Sequence, residues 1–299
     1  VLTSLTARAL GLKLPIVYDA HTLAGSELLD YGPKAGSGLK RAVGNFLDHK
    51  LAHSADGVIA VTDAIKNVLL DRGSQSAERL YVISNGIEDD FIRRADLARG
   101  DRDASDNSVS TLQQNKAAPV FMFAGNAAAY QGIDLMLRAF ALVVERIPLA
   151  QLRVITEESF AEYKPLLSAL GIEDRISISS VELDELPGTL IQADVLLNPR
   201  SRCAGIPQKL LNYMAAGRPV VSFAGSAKII TDRVDGLVVK NDDITALADA
   251  MLELLENHEL GKVLSEAALK RVKADHSWQS VAAQTVAVYR DTLKRYAEN

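Results

Sequence analysis

The chain has a single cysteine, Cys203, in 299 residues. No internal disulfide can form, so a stapled secreted scaffold is excluded and a reducing cytoplasm is the simplest compartment. Long apolar runs are missing as well. The longest stretch without a charge, Ala117 to Ile133, carries Pro119, Gly125, Asn126, Gln131 and Gly132, which does not make a membrane-spanning helix. Basic residues are not in excess: 33 Lys and Arg stand against 38 Asp and Glu, a net charge of −5. Counterion release along a nucleic acid is therefore a poor source of affinity. The first residues, Val1 to Leu5, offer neither a charged leader nor an initiator Met, so they read as neither a signal peptide nor a natural start. What remains is the composition of an ordinary soluble α/β protein, 48% hydrophobic and 24% charged, with length enough for two domains.

Apolar periodicity alternates along the chain. Ser4 to Leu12 has helical spacing and leads to a strand at Pro15–Asp19. Leu39 to Ala52 predicts a helix with Leu39, Val43, Phe46, Leu47 and Leu51 on its packed face and Lys40, Arg41, Asp48 and Lys50 on the other. A strand at Val58–Val61, a helix capped by Thr62, and a strand at Leu80–Ile83 follow, the last stopped by Ser84-Asn85-Gly86. Three strands alternating with helices indicate a parallel, doubly wound sheet. From Arg93 to Lys116 the chain is polar and without period, and reads as a linker. A second series has strands at 120–123, 152–155, 176–179, 195–198, 220–223 and 236–239, and helices to the end of the chain. The expected organisation is a first domain over 1–94, a linker over 95–116, a second domain over 117–277 and a last helix over 278–299.

Open parallel sheets bind ligands beyond the carboxyl ends of their strands. Gly125 and Asn126 follow one strand, with Gln131 shortly after, where a glycine and a helix start suit a phosphate. Arg200 follows another, and Lys209 and Asn212 share one face of the next helix, a cation and an amide suited to a diphosphate and a ribose. Asp19-Ala20-His21 places an imidazole after the first strand, able to orient or accept a proton. Lys228 sits in the small-residue loop Gly225–Lys228. Each stretch alone is also what a plain turn or a solvated surface would show.

In order and spacing these stretches resemble the family-4 retaining glycosyltransferases of the GT-B fold. Asp19-Ala20-His21 resembles the family's Asp-x-His turn, and Ser84-Asn85-Gly86-Ile87-Glu88 its hinge sequence. Tyr213 to Val221 and His276-Ser277-Trp278 resemble two further motifs near its end. The resemblance implies two Rossmann-like domains facing across a cleft, a nucleoside-diphosphate sugar as donor, a glycan or lipid-linked acceptor, no metal cofactor, and a last helix crossing back to the first domain. It also implies that strands are missing before Asp19, so that the acceptor domain is partial. Two departures stand out. Asn126 and Gln131 occupy the places of an Arg and a Lys bound to the donor diphosphate, and Ala204 and Asn212 those of a Glu pair. A subgroup with Tyr-Gln-Gly-Ile-Asp and Pro-x-Lys-Leu-Leu-Asn-Tyr-Met-Ala-Ala-Gly strings shares them.

A leaving diphosphate needs cations already in place, and Lys209 and Arg200 are expected to take over from the missing Arg and Lys pair, with Gly125 and Asn126 as further donors. Asn212 is expected to bind the ribose in place of the Glu, His21 to lie on the acceptor side, and Gln131 and Lys228 to belong to the donor site. Competing expectations are a nucleotide-sugar epimerase and a non-catalytic partner of another transferase. Lys40, Arg41 and Lys50 leave peripheral contact with the inner membrane face open, and no nucleic-acid partner is expected.

Overall fold

The structure is a computed structural model. It describes residues 10–11, 13–28, 37–109 and 118–298, with the backbone alone for 101–109. Apart from Leu10 and Gly11, the helix expected over Ser4–Leu12 lies outside them. The chain divides into two units: Val1–Gly86 with Ala204–Ile206 and Trp278–Asn299, and Ile87–Cys203 with Pro207–Ser277.

The first unit runs β1 (Val17–Ala20), α1 (Ala24–Glu27), α2 (Ser37–His53), β2 (Gly57–Ala60), α3 (Asp63–Asp71) and β3 (Leu80–Val82). The strands are parallel, in the order β1-β2-β3. Thr62 caps α3, its hydroxyl accepting from the Ile65 amide at 3.2 Å, as the sequence predicts. Gly86 ends the β3 turn by packing and without a positive φ: the ring of Trp278 lies where a Cβ would stand.

Helix α2 departs from expectation. Leu39, Val43 and Phe46 are exposed, at 72%, 46% and 60%, whereas Asp48 is buried. Its carboxylate accepts from the backbone of Ala24 at 2.8 Å and of Gly25 at 3.0 Å, and Arg72 lies 3.6 Å away. Asp48 therefore caps α1 from the side. The apolar spacing is present, but Gly44 forms the real contact face because α1 approaches so closely that a Cβ there would meet the Ala24 and Gly25 backbone. The basic residues thus lie on a helix whose acidic interruption faces inward.

The second unit begins with α4 (Asp89–Val109), followed by β4 (Val120–Ala124), α5 (Ile133–Arg146), β5 (Gln151–Ile155), α6 (Lys164–Leu170), β6 (Ile176–Ser179), α7 (Leu186–Ile191) and β7 (Val195–Asn198). Then come α8 (Gln208–Ala216), β8 (Val220–Phe223), β9 (Leu237–Val239), α9 (Ile244–Glu256) and α10 (His258–Asp275). All six strands are parallel, in the order β6-β5-β4-β7-β8-β9. Chain order reverses between β4 and β7, and this switch point opens a crevice at the strands' carboxyl ends. Phe121, Phe123 and Phe140 are fully buried within the core.

Helix α4 corrects the linker expected over 95–116: residues to Val109 are helical. An apolar period is weak there because few side chains carry the packing. Phe91, Ile92 and Ala95 are buried, and ion pairs at helical spacing take over outside: Asp90 with Arg93 and Arg94, and Asp96 with Arg99. Lys273 of α10 adds a pair to Asp96 at 2.9 Å, and Arg99 donates to the Ala215 carbonyl of α8 at 2.8 Å. The unit boundary falls at Gly86, ahead of the expected Arg94.

The last helix, α11 (Trp278–Glu298), is grouped with the first unit. Val281 and Val288 pack with Ile59 and Ile83, and Asp291 accepts from Tyr81 and Arg295.

Removing the buried Asp48 carboxylate leaves two enclosed amides without an acceptor. Asp48→Ala is expected to lower the stability of the first unit by about 2–3 kcal/mol. Trp278, the only tryptophan, lies in that unit and reports its urea transition by fluorescence. A midpoint equal to wild type would contradict this role.

Candidate functional site

A cleft of about 460 Å³ opens at the switch point, and Gly125, Asn126, Gln131, Arg200, Lys209 and Asn212 all line it. Six residues singled out from the sequence thus meet in one place. Lys228 is half-buried in the loop after β8 and does not line the cleft, because that loop turns into the packed stretch Ile229–Ile230. His21 belongs to the first unit.

Helix α8 supplies the central groups. Pro207 precedes it and caps it with no side chain, and Pro207, Gln208 and Lys209 line the cleft wall. Such a helix start favours an anion. The Lys209 ammonium lies 3.9 Å from the centre of the Phe123 ring and donates to Gln131 Oε1 at 2.8 Å. Gly125 makes this approach possible: its φ is +151°, and a Cβ there would stand 2.7 Å from Lys209 Nζ. Loss of water around the ammonium, and then the Arg200 charge, bring the Lys209 pKa from 10.5 down to about 7. An anion between the two cations reverses that shift.

Around Lys209 the polar groups form a chain. Gln131 Nε2 donates to Asn126 Oδ1 at 2.9 Å, and Asn126 Nδ2 donates to the Tyr130 hydroxyl at 2.8 Å. The Arg200 guanidinium stacks over the Tyr130 ring at 4.7 Å. Asn198 at the end of β7 is fully buried and donates to Ser222 at 2.8 Å and Ser226 at 2.7 Å. Ser226 in turn donates to the Arg200 carbonyl. These bonds fix the loop that presents Arg200.

Sequence reasoning assigned no role to Tyr213. Its hydroxyl accepts from the Ala124 amide at 2.8 Å and donates to the Ala124 carbonyl at 3.3 Å, so it holds the end of β4 beside Gly125. Burial pushes its phenol above the ordinary value. Its signal was the spacing of four from Lys209, which puts both on one helix face. Glu158 was also passed over; it accepts from the Ala127 amide at 2.7 Å and lines the rim with Glu157. The far wall is apolar, with Ile155, Val181, Leu183 and Leu186.

In the first unit, His21 is exposed, with Nε2 3.2 Å from Asp19 and Nδ1 3.1 Å from Asn85 Oδ1. Gly205 packs on the His21 carbonyl, where a Cβ would come within 2.4 Å.

Two family models match this chain. Residues 1–91 match Glycosyltransferase Family 4, and residues 118–257 match Glycosyl transferases group 1. A D-inositol 3-phosphate glycosyltransferase of Corynebacterium aurimucosum is 25% identical over 298 residues, a match covering 94% of this chain and 67% of that protein. The alpha-D-kanosaminyltransferase of Streptomyces kanamyceticus is also 25% identical, with 96% and 72% covered. Among solved structures, Anabaena HepE in complex with UDP superimposes with a TM-score of 0.74 at 17% identity, covering 97% of this chain and 74% of that one. WaaG, a glycosyltransferase involved in lipopolysaccharide biosynthesis, gives a TM-score of 0.70 at 19% identity, covering 92% and 76%. By fold and by both matches, the chain is a glycosyltransferase of the GT-B type. Its first unit carries the family 4 domain and its second the group 1 domain. No helix among the described residues is long and apolar enough to cross a membrane.

Because free Lys209 loses its proton near pH 7, an anion bound beside it at pH 8 draws a proton from solution, and affinity falls as pH rises above about 7. Calorimetric titration of an inorganic anion that does not itself titrate near pH 8, such as sulfate, in two buffers of different ionisation enthalpy should show this uptake. Lys209→Met should abolish it, and uptake that survives this substitution would contradict the assignment.

Proposed function

We propose that the second unit binds the nucleoside diphosphate of a sugar nucleotide in its switch-point cleft, and that the chain moves the sugar to an acceptor hydroxyl with retention of configuration. The observation that carries this reading is that the Lys209 and Arg200 side chains and the amino end of α8 line one small crevice. As a diphosphate leaves, charge grows on its oxygens, and groups already in place stabilise it without reorganising. The apolar wall suits a nucleobase, and Asn212, one turn along α8 from Lys209, suits ribose hydroxyls. HepE crystals containing UDP and UDP-glucose support a nucleotide sugar as the donor class. No resident metal or other cofactor is part of this reading, and Gln131 acts through Lys209.

His21 is assigned to the acceptor. With Asp19 and Asn85 holding both ring nitrogens, it fits an orienter better than a free base. A glycan or a lipid-linked glycan is the acceptor class, approached from the cytoplasm, with peripheral membrane contact retained as part of the proposal.

Lys209→Ala should reduce kcat/KM by about 100-fold or more and weaken UDP binding. Asn212→Ala should weaken UDP and the sugar nucleotide by the same factor, since the ribose is common to both. Wild-type turnover and affinity in either variant would remove that residue from the donor site. Steady-state kinetics with His21→Gln should show a loss in kcat/KM for the acceptor at unchanged UDP affinity; equal losses for both would overturn its acceptor role.

A further inference from the structure

The two cations of the cleft are joined by one side chain. The Tyr130 ring carries the Arg200 guanidinium at 4.7 Å, and its hydroxyl ends the chain of bonds that starts at Lys209. The polarity of that chain is fixed from its charged end. An ammonium can only donate, so Gln131 turns its oxygen to Lys209 and its amide nitrogen to Asn126. Asn126 then presents its oxygen to Gln131 and its nitrogen to Tyr130. The Asn126 oxygen also takes the Ala128 amide at 3.4 Å, which favours the same orientation. The tyrosine hydroxyl is left as the acceptor at the end of the chain.

The backbone places Tyr130 with equal care. Gln131 is followed by Gly132 at φ +73°, where a Cβ would come within 2.1 Å of the Pro199 carbonyl. Only glycine lets the turn at Ala129–Gln131 lie against Pro199, and this brings the ring beneath Arg200. Resting on the proposed donor site, we infer that Tyr130 is a positioning residue for the diphosphate: it sets the separation of Arg200 from Lys209 through a ring platform on one side and an amide chain on the other. Asn126 and Gln131 are then spacers of defined polarity rather than weak substitutes for cations. A residue in this role touches neither the base nor the ribose, so its removal acts on phosphate affinity alone.

The test compares UDP, GDP, ADP, CDP and dTDP on the wild type, then takes the tightest of them and its parent nucleoside to the variants. Tyr130→Leu should weaken the diphosphate about tenfold and leave the nucleoside unchanged, and Tyr130→Phe, which keeps the platform, should recover most of that loss. In an Arg200→Ala background Tyr130→Leu should lose most of its effect, because only the amide chain to Lys209 then remains. Should the leucine variant not fold, Arg200→Lys reads the same contact in folded protein, since it keeps the charge and loses the planar stack; about a tenfold loss is expected. Diphosphate affinity unchanged in Tyr130→Leu or in Arg200→Lys, or equal losses for diphosphate and nucleoside, would overturn the inference while leaving the donor site standing. Failure of all five diphosphates to bind the wild type would overturn the donor site and this inference together.

Discussion

One constraint organises the second unit: an ammonium with little access to water must be kept within the field of a guanidinium. Like charges brought close together in a poorly hydrated crevice raise the free energy of the empty site. The surroundings offset this by an aromatic face, a single amide oxygen and an available deprotonation near pH 7. On the proposed function, an incoming diphosphate favours the charged form of Lys209 and draws its proton back. The same strain explains the precision of the neighbours. Gly125 has no Cβ because Lys209 occupies that space, and Tyr213 clamps the Ala124 peptide on the other side.

The fold supplies this arrangement through chain order. Reversal between β4 and β7 brings the loop after Ala124 and the loop after Asn198 to the same opening, and α8 starts there. The far end of α8 is held by Arg99 from α4, itself tied to α10 through Asp96 and Lys273. A helix anchored at its carboxyl end, with its amino end lining the cleft, is suited to binding an anion. Asn198 contributes from beneath, since its two hydroxyl contacts set the course of the loop carrying Arg200.

Much of this was legible from period and position. Short apolar strands between helices fixed the parallel sheets, and inspection of strand ends brought out Gly125, Asn126, Arg200, Lys209 and Asn212, which the structure gathers. Other features lacked a local signal. Helix α4 is held by ion pairs and a few buried residues, so its hydrophobic period is faint and it resembled a linker. Asp48 looked like a solvated charge because its partners, the amides of Ala24 and Gly25, lie two dozen residues away in sequence. The Tyr130 platform depends on a backbone contact between Gly132 and Pro199, far apart in the chain. Lys228 matched a small-residue loop, but that loop runs into the packed stretch Ile229–Ile230 and Lys228 does not line the cleft.

The central claim is that Lys209 is held in a state that a donor diphosphate relieves. Its side-chain nitrogen can be followed by NMR across a pH titration, with Lys209→Arg for assignment. The account predicts a Lys209 resonance titrating near pH 7 in the free protein and moving back toward the ordinary lysine value when the tightest-binding nucleoside diphosphate is present. An ordinary lysine titration in both states would contradict it.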